Sequence, residues 1–139
     1  MKISAKAEYA CLAVLALARQ GADSSPLHIR EISGAYGIPE RYLVQILLQL
    51  KGAGLVASTR GASGGYRLAR DASSISLSHV LTAVDGPETT RPHTSGMKRP
   101  TASLLASVWE DVRAAERAVL DRTTIAQLAE QCSAHEWTI

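Results

Sequence analysis

The chain has no phenylalanine, and its aromatic side chains amount to two Trp and four Tyr among 139 residues. A core must therefore come from Leu, Val, Ile and Ala, which a 46% apolar composition can supply. Cysteine is equally scarce. Cys11 and Cys132 stand far apart with no C-x-x-C spacing, which excludes a disulfide framework and a zinc signature. No apolar run reaches the roughly 20 residues needed to span a bilayer. The apolar stretch 7–18 is interrupted by Glu8 and Tyr9 and followed by Arg19 without a small-residue cleavage site. It does not read as a signal peptide, and a cytoplasmic location is expected. His28, His79, His93 and His135 are scattered, no Ser/His/Asp set can be assembled, and the one glycine-rich tip lacks the Lys-Ser/Thr of a phosphate-binding loop. Nothing here points to an enzyme.

What is present is an uneven charge distribution. Residues 1–70 hold nine Lys/Arg and four Asp/Glu, net +5, and residues 71–139 hold six and nine, net −3. A basic front half suits nucleic acid and an acidic back half suits protein. The length fits one ordinary domain, or a small domain with an appendage.

The basic half centres on residues 28–70. Ile29, Ile32 and Ala35 recur on one face of a short helix that Gly37 ends, and Ile38-Pro39 opens the next. Leu43, Ile46, Leu47 and Leu50 then follow a 3.6-residue period, leaving Glu40, Arg41, Val44, Gln45 and Gln49 away from the stripe. A strand-like run 55–59 and a second at 66–68 flank the tip Arg60-Gly61-Ala62-Ser63-Gly64-Gly65. Glycines strip the tip of side chains, so its backbone can approach another surface. Arg60 and Arg67 place cations beside it. Two amphipathic helices and a hairpin are also compatible with a plain α+β core. The basic tip favours a winged helix-turn-helix, with the second helix for the DNA major groove. There Val44 suits a thymine methyl, Gln45 an adenine, and Arg41 a phosphate or guanine.

The run Gly54-Leu55-Val56, then Arg60-Gly61-Ala62, then Gly64-Gly65-Tyr66, resembles the wing of the Rrf2 family of bacterial transcription regulators. That family includes IscR, NsrR and CymR types. Lys2 to Lys6, Tyr42-Leu43, Ala83 to Pro87 and Leu120 to Leu128 fit it in the same order. The resemblance implies a mainly α fold with a small β-hairpin: a winged helix-turn-helix at 1–86, a loop at 87–100, and a dimerisation helix and tail at 101–139. It also implies DNA contacts from Lys2, Lys6, Glu40, Arg41, Tyr42, Val44, Gln45, Arg60, Gly61, Gly64, Gly65, Tyr66 and Arg67.

Outside that centre, residues 4–20 read as a helix apolar nearly all round, buried on most sides. A lone domain of this size would rarely enclose it so fully, so a partner helix against it is expected. Asp71 to Ser74 reads as a turn, and Ser76 as the cap of a helix to about Val84 that Gly86-Pro87 stops. Leu104, Leu105, Val108, Val112, Ala115 and Val119 make one stripe of a helix of some 20 residues, a dimer seam in the family and otherwise an internal packing face. Thr124 and Gln127 form a capping box for a last helix from Ile125 to about Gln131.

Cluster-holding members of the family carry three cysteines in the loop before the long helix. Residues 87–100 contain none, and Glu8 and His93 cannot hold a cluster without thiolates. No cofactor or metal is expected, and the resemblance narrows to the CymR-like, cluster-free branch of cysteine-metabolism repressors. That branch implies a two-fold symmetric DNA site, a homodimer and O-acetylserine sulfhydrylase as a partner, engaged by a tail ending in Trp137 and Ile139. The other readings are a protein-interaction adaptor that keeps the fold without specific DNA binding, and a redox sensor working through Cys11 or Cys132. Cys11, in an apolar helix, reads as inert.

Overall fold

The computed structural model describes residues 2–21, 25–62, 64–87 and 100–137, with side chains of the last helix described as far as Ser133. Among these residues six α-helices run in the order α1 (Ala5–Gln20), α2 (Ile29–Tyr36), α3 (Glu40–Gly52), then, after the hairpin β1 (Val56–Thr59) and β2 (Gly65–Leu68), α4 (Leu77–Asp85), α5 (Pro100–Arg122) and α6 (Ile125–Trp137). The predicted loop 87–100 is described only at its ends.

Helix α1 is the axle. Ala7, Ala10, Ala13 and Val14 are fully covered, and the helix touches α2, α3, α4, α6 and β2. The same chain supplies this cover, which corrects the expectation that a lone domain would not enclose the helix. A row of alanines leaves room for neighbouring helices to come close on several sides. Ser4 starts α1: its hydroxyl accepts the N–H of Ala7 at 3.0 Å and donates to the Asp85 carboxylate, with Oδ2 at 3.0 Å. The Ala83-to-Pro87 motif therefore has a structural job, since Asp85 at the end of α4 holds the entry to α1.

Helix α4 is capped as its sequence promises. Ser76 Oγ accepts from His79 N at 3.2 Å and His79 Nδ1 accepts from Ser76 N at 3.0 Å. Thr124 and Gln127 form the same reciprocal pair at α6, at 3.2 and 3.0 Å. The elbow between α5 and α6 is stitched to the start of α4: Leu77 N donates to Thr123 O at 3.0 Å, Ile125 N donates to Ile75 O at 2.8 Å, and Ser78 bonds Asp121. Ile125 is fully buried in the same core as α1, so the chain returns to the front half after the long helix.

Four expectations need correction. Ala35 is exposed, because the eight-residue α2 offers its neighbours a single buried side chain, Ile32. Pro39 is the cap of α3, not its first residue. Gln49 is half-buried and its amide donates to Val84 O on α4 at 3.5 Å. The turn expected at Asp71 to Ser74 is present, as a single turn of 3-10 helix over 72–74 with Asp71 accepting from Ser73 N. Helix α6 runs on to Trp137, six residues past the expected end, because nothing in that stretch breaks a helix.

The hairpin pairs Val56 with Leu68, Ala57 with Arg67, Ser58 with Tyr66 and Thr59 with Gly65. Its double glycine works inward. A Cβ on Gly64 would lie 2.2 Å from Thr59 O, so only glycine lets the tip close on itself, and the residue is buried. Gly65 has φ +151°, and a Cβ there would meet Leu27 O at 2.4 Å. That close approach permits two backbone bonds, Leu27 N to Tyr66 O at 2.9 Å and Tyr66 N to Leu27 O at 2.8 Å. The expectation that all three tip glycines open the backbone to another surface holds for Gly61, which is exposed with open space around it, and not for Gly64 or Gly65.

Gly65→Ala is expected to destabilise the fold by about 1–3 kcal/mol in urea unfolding. Gly34→Ala, inside α2 with nothing within 4 Å of the new methyl, should stabilise by roughly 0.5–1 kcal/mol.

Candidate nucleic-acid interface

The turn between α2 and α3 fixes the angle of the second helix. Gly37 takes a left-handed φ of +66°, Ile38 is buried, and its N–H donates to Ser33 O at 3.2 Å. The Ser33 hydroxyl donates to Ile38 O at 2.5 Å. The Pro39 carbonyl accepts from Tyr42 N and Leu43 N, both at 3.1 Å. Helix α3 then buries Leu43, Ile46, Leu47 and Leu50 and leaves Glu40, Arg41, Tyr42, Val44, Gln45 and Leu48 exposed. Its outward face is thus the expected one without Gln49 and with Leu48 added. The stripe rule passed over Leu48 because an apolar residue beside a core stripe reads as core.

Arg41 does not hang free: its guanidinium carbon lies 5.1 Å from the centre of the Tyr42 ring, a cation–π distance. Lys6, Tyr42 and Gln45 come together. With Ala5, Tyr9 and Ile46 they line a cleft of about 440 Å³ between the first turn of α1 and α3. Lys2 is exposed and sits elsewhere, lining a hollow with Ile3, Asp85 and Arg117.

On the wing, Arg67 shares the outward face with Ala57 and Thr59, and its Nη2 lies 3.5 Å from Thr59 Oγ1. Arg60 is exposed at the end of β1. Tyr66 is half-buried on the opposite face, packed against the core, and its backbone bridges to Leu27. Lys51, which sequence reasoning did not single out, ties the last turn of α3 to the wing through Ser58 Oγ at 2.8 Å. Arg41, Gln45, Arg60 and Arg67 thus project from two elements held to one another by α3–wing and Leu27–wing bonds.

Cys11 is partly buried in α1, and its thiol is pushed up to about 11 by desolvation, then by the carboxylates of Glu8 and Asp85. It stays protonated at neutral pH and is a poor nucleophile. Cys132 lies on α6. Among the described residues no group of three His, Cys, Asp or Glu is placed to hold a metal ion. The side chain of Trp137 and all of Ile139 lie outside what is described, and the backbone of Trp137 belongs to α6. Among the described residues no helix is long and apolar enough to cross a membrane.

A short helix, a tight turn, an exposed helix and a basic wing define a winged helix-turn-helix regulator. The Rrf2 family model, described as iron-dependent transcriptional regulators, matches residues 3–131. An HTH-type transcriptional regulator of Mycobacterium tuberculosis is 41% identical over 133 residues, covering 93% of this chain and 81% of that protein. IscR of Vibrio vulnificus is 37% identical over 130 residues, covering 92% and 77%. Among solved structures, CymR, the global cysteine regulator of B. subtilis, superimposes with a TM-score of 0.84 at 30% identity over 94% of this chain and 98% of that one. IscR of T. potens gives 0.78 at 31% identity over 95% and 88%. The chain belongs to the Rrf2 family of DNA-binding transcriptional regulators.

Two outcomes are expected. Arg60→Ala should weaken binding to a selected site by about 1–3 kcal/mol with little effect on random DNA. Arg67→Ala should weaken both alike and lower the salt slope by roughly one, as anisotropy titrations across salt would show. For Cys11, the unfolded thiol ionises near its ordinary value of 9.0 and the folded one at about 11. Its stabilising contribution is complete below the first value and lost as pH rises through the second. Cys11→Ala should flatten the fall in stability over that window, read by urea unfolding at stepped pH.

Proposed function

We propose that the chain is a homodimeric repressor of cysteine and sulfur metabolism genes that binds a two-fold symmetric DNA site without an iron–sulfur cluster. The observation that carries the dimer is the outward face of α5. Leu104, Leu105, Val108, Val112 and Val119 are 45–67% exposed, Trp109 joins them at 49%, and Ala115 is exposed beside them. A contiguous apolar stripe on a 23-residue helix is suited to a second copy of itself. On this reading residues 1–86 bind DNA, 87–100 connect, and 101–139 dimerise, with α6 returning to the core. One α3 per chain then serves each half-site, and half-site centres lie about one helical turn apart or a multiple of it.

The cluster-free part rests on the donor set. The chain has two cysteines in all, Cys11 on α1 and Cys132 on α6, and Cys11 is held as a neutral thiol. Iron–sulfur clusters are held chiefly by cysteine thiolates, and these residues do not fit one. The metabolic assignment follows the likeness to CymR, whose span this chain covers almost completely. The same likeness to CymR supports O-acetylserine sulfhydrylase as a partner engaged by the tail, whose Trp137 backbone ends α6 and whose Ile139 lies outside the described residues.

One preparation tests the proposal. Anaerobically purified protein should scatter X-rays with twice the mass of one chain, show no visible absorption, and shift DNA from upstream of its own gene. Val108→Glu should give monomers with at least about tenfold weaker operator binding, since a carboxylate cannot be buried unpaired. A monomeric wild type, or iron and sulfide in proportion to protein, overturns the corresponding part. A dimer that binds no specific DNA would favour the adaptor reading.

A further inference from the structure

The outward arc of α3 has an apolar centre. At about 100° per residue, Glu40 and Lys51 border the arc on one side and Arg41 and Gln45 on the other, with Val44 and Leu48 between them. Leu48 is 59% exposed and Val44 45%, while Leu43, Ile46, Leu47 and Leu50 of the same helix are covered. A single exposed leucine is ordinary. Two apolar side chains stacked one turn apart, ringed by polar residues on the helix aimed at DNA, form a small reading surface. What the major groove offers to such a surface is the C5 methyl group of thymine.

Spacing sets the pattern. Four residues rise about 6 Å along a helix axis, and successive base pairs rise about 3.4 Å, so the two side chains reach positions about two base pairs apart. Gln45, beside Val44, is placed to pair with an adenine in the same stretch. We infer that Val44 and Leu48 each contact one thymine methyl, about two base pairs apart, in every half-site. This rests on the DNA-binding reading above and adds a specificity residue, Leu48, together with the base chemistry it reads.

The test starts with selection of duplexes from a random library by the full chain. Each thymine of the selected half-site is then replaced by deoxyuridine, which removes only the methyl, and affinity is measured by fluorescence anisotropy. Two positions about two base pairs apart should each lose about fourfold, the size set by burial of one methyl group. Leu48→Ala should abolish the loss at one of them and Val44→Ala at the other. Leu48→Met, which keeps an apolar reach, should retain it. Both sites are exposed, so the variants should melt like the parent, and circular dichroism checks this. Selected DNA that is indifferent to every deoxyuridine, or losses that persist unchanged in both alanine variants, overturns the inference and leaves the DNA-binding reading intact. Failure to enrich any sequence overturns both.

Discussion

The fold depends on the close burial of one helix. Ala7, Ala10, Ala13 and Val14 of α1 have no exposed surface, and the other elements of the winged core lean on them. Small side chains are what make this possible, because each extra methylene would push a neighbour outward and overpacking costs as surely as a cavity does. The Ser4–Asp85 bond then fixes where α1 begins relative to α4.

Much of this was legible because the signals are local. A cap and its partner three residues on carry their geometry with them, so Ser76 and the Thr124–Gln127 pair could be placed from the sequence. The period of Leu43, Ile46, Leu47 and Leu50 likewise identified the buried side of α3, and by subtraction most of its outward face. The errors arose where the deciding contact is distant. Gly64 and Gly65 looked like an outward-facing tip, yet Gly65 is required by Leu27, a residue nearly forty positions earlier. Gln49 looked like a surface glutamine until α4 supplied Val84 O. Leu48 and Trp109 were passed over for a related reason: an apolar residue on a helix is assigned inward unless the structure shows nothing above it.

Membership of the family and the chemistry of this chain's thiols address different questions. The family model speaks of iron-dependent regulators, and IscR relatives are more than a third identical to this chain. A shared wing and recognition helix require shared backbone geometry, which Gly37, Gly64 and Gly65 maintain. Sensing requires donor atoms, which can be lost or gained in a loop without disturbing that geometry. The elbow at Thr123–Ile125, stitched to Ile75 and Leu77, anchors the end of the long helix at the start of α4.

Two backbone hydrogen bonds between Leu27 and Tyr66 tie the wing to the start of the helix-turn-helix, and the Lys51–Ser58 bond ties it to the end of α3. The more firmly a wing is tied to its own domain, the less conformational freedom it gives up on meeting a duplex, and the more of the adjustment falls on the DNA. Duplexes differ in groove width and in the work needed to change it. Sequences that already offer the matching width will be preferred at positions no side chain touches, and flexible pyrimidine–purine steps will be tolerated where stiff tracts are not. The wing's attachment to its own backbone thereby becomes a means of measuring DNA shape.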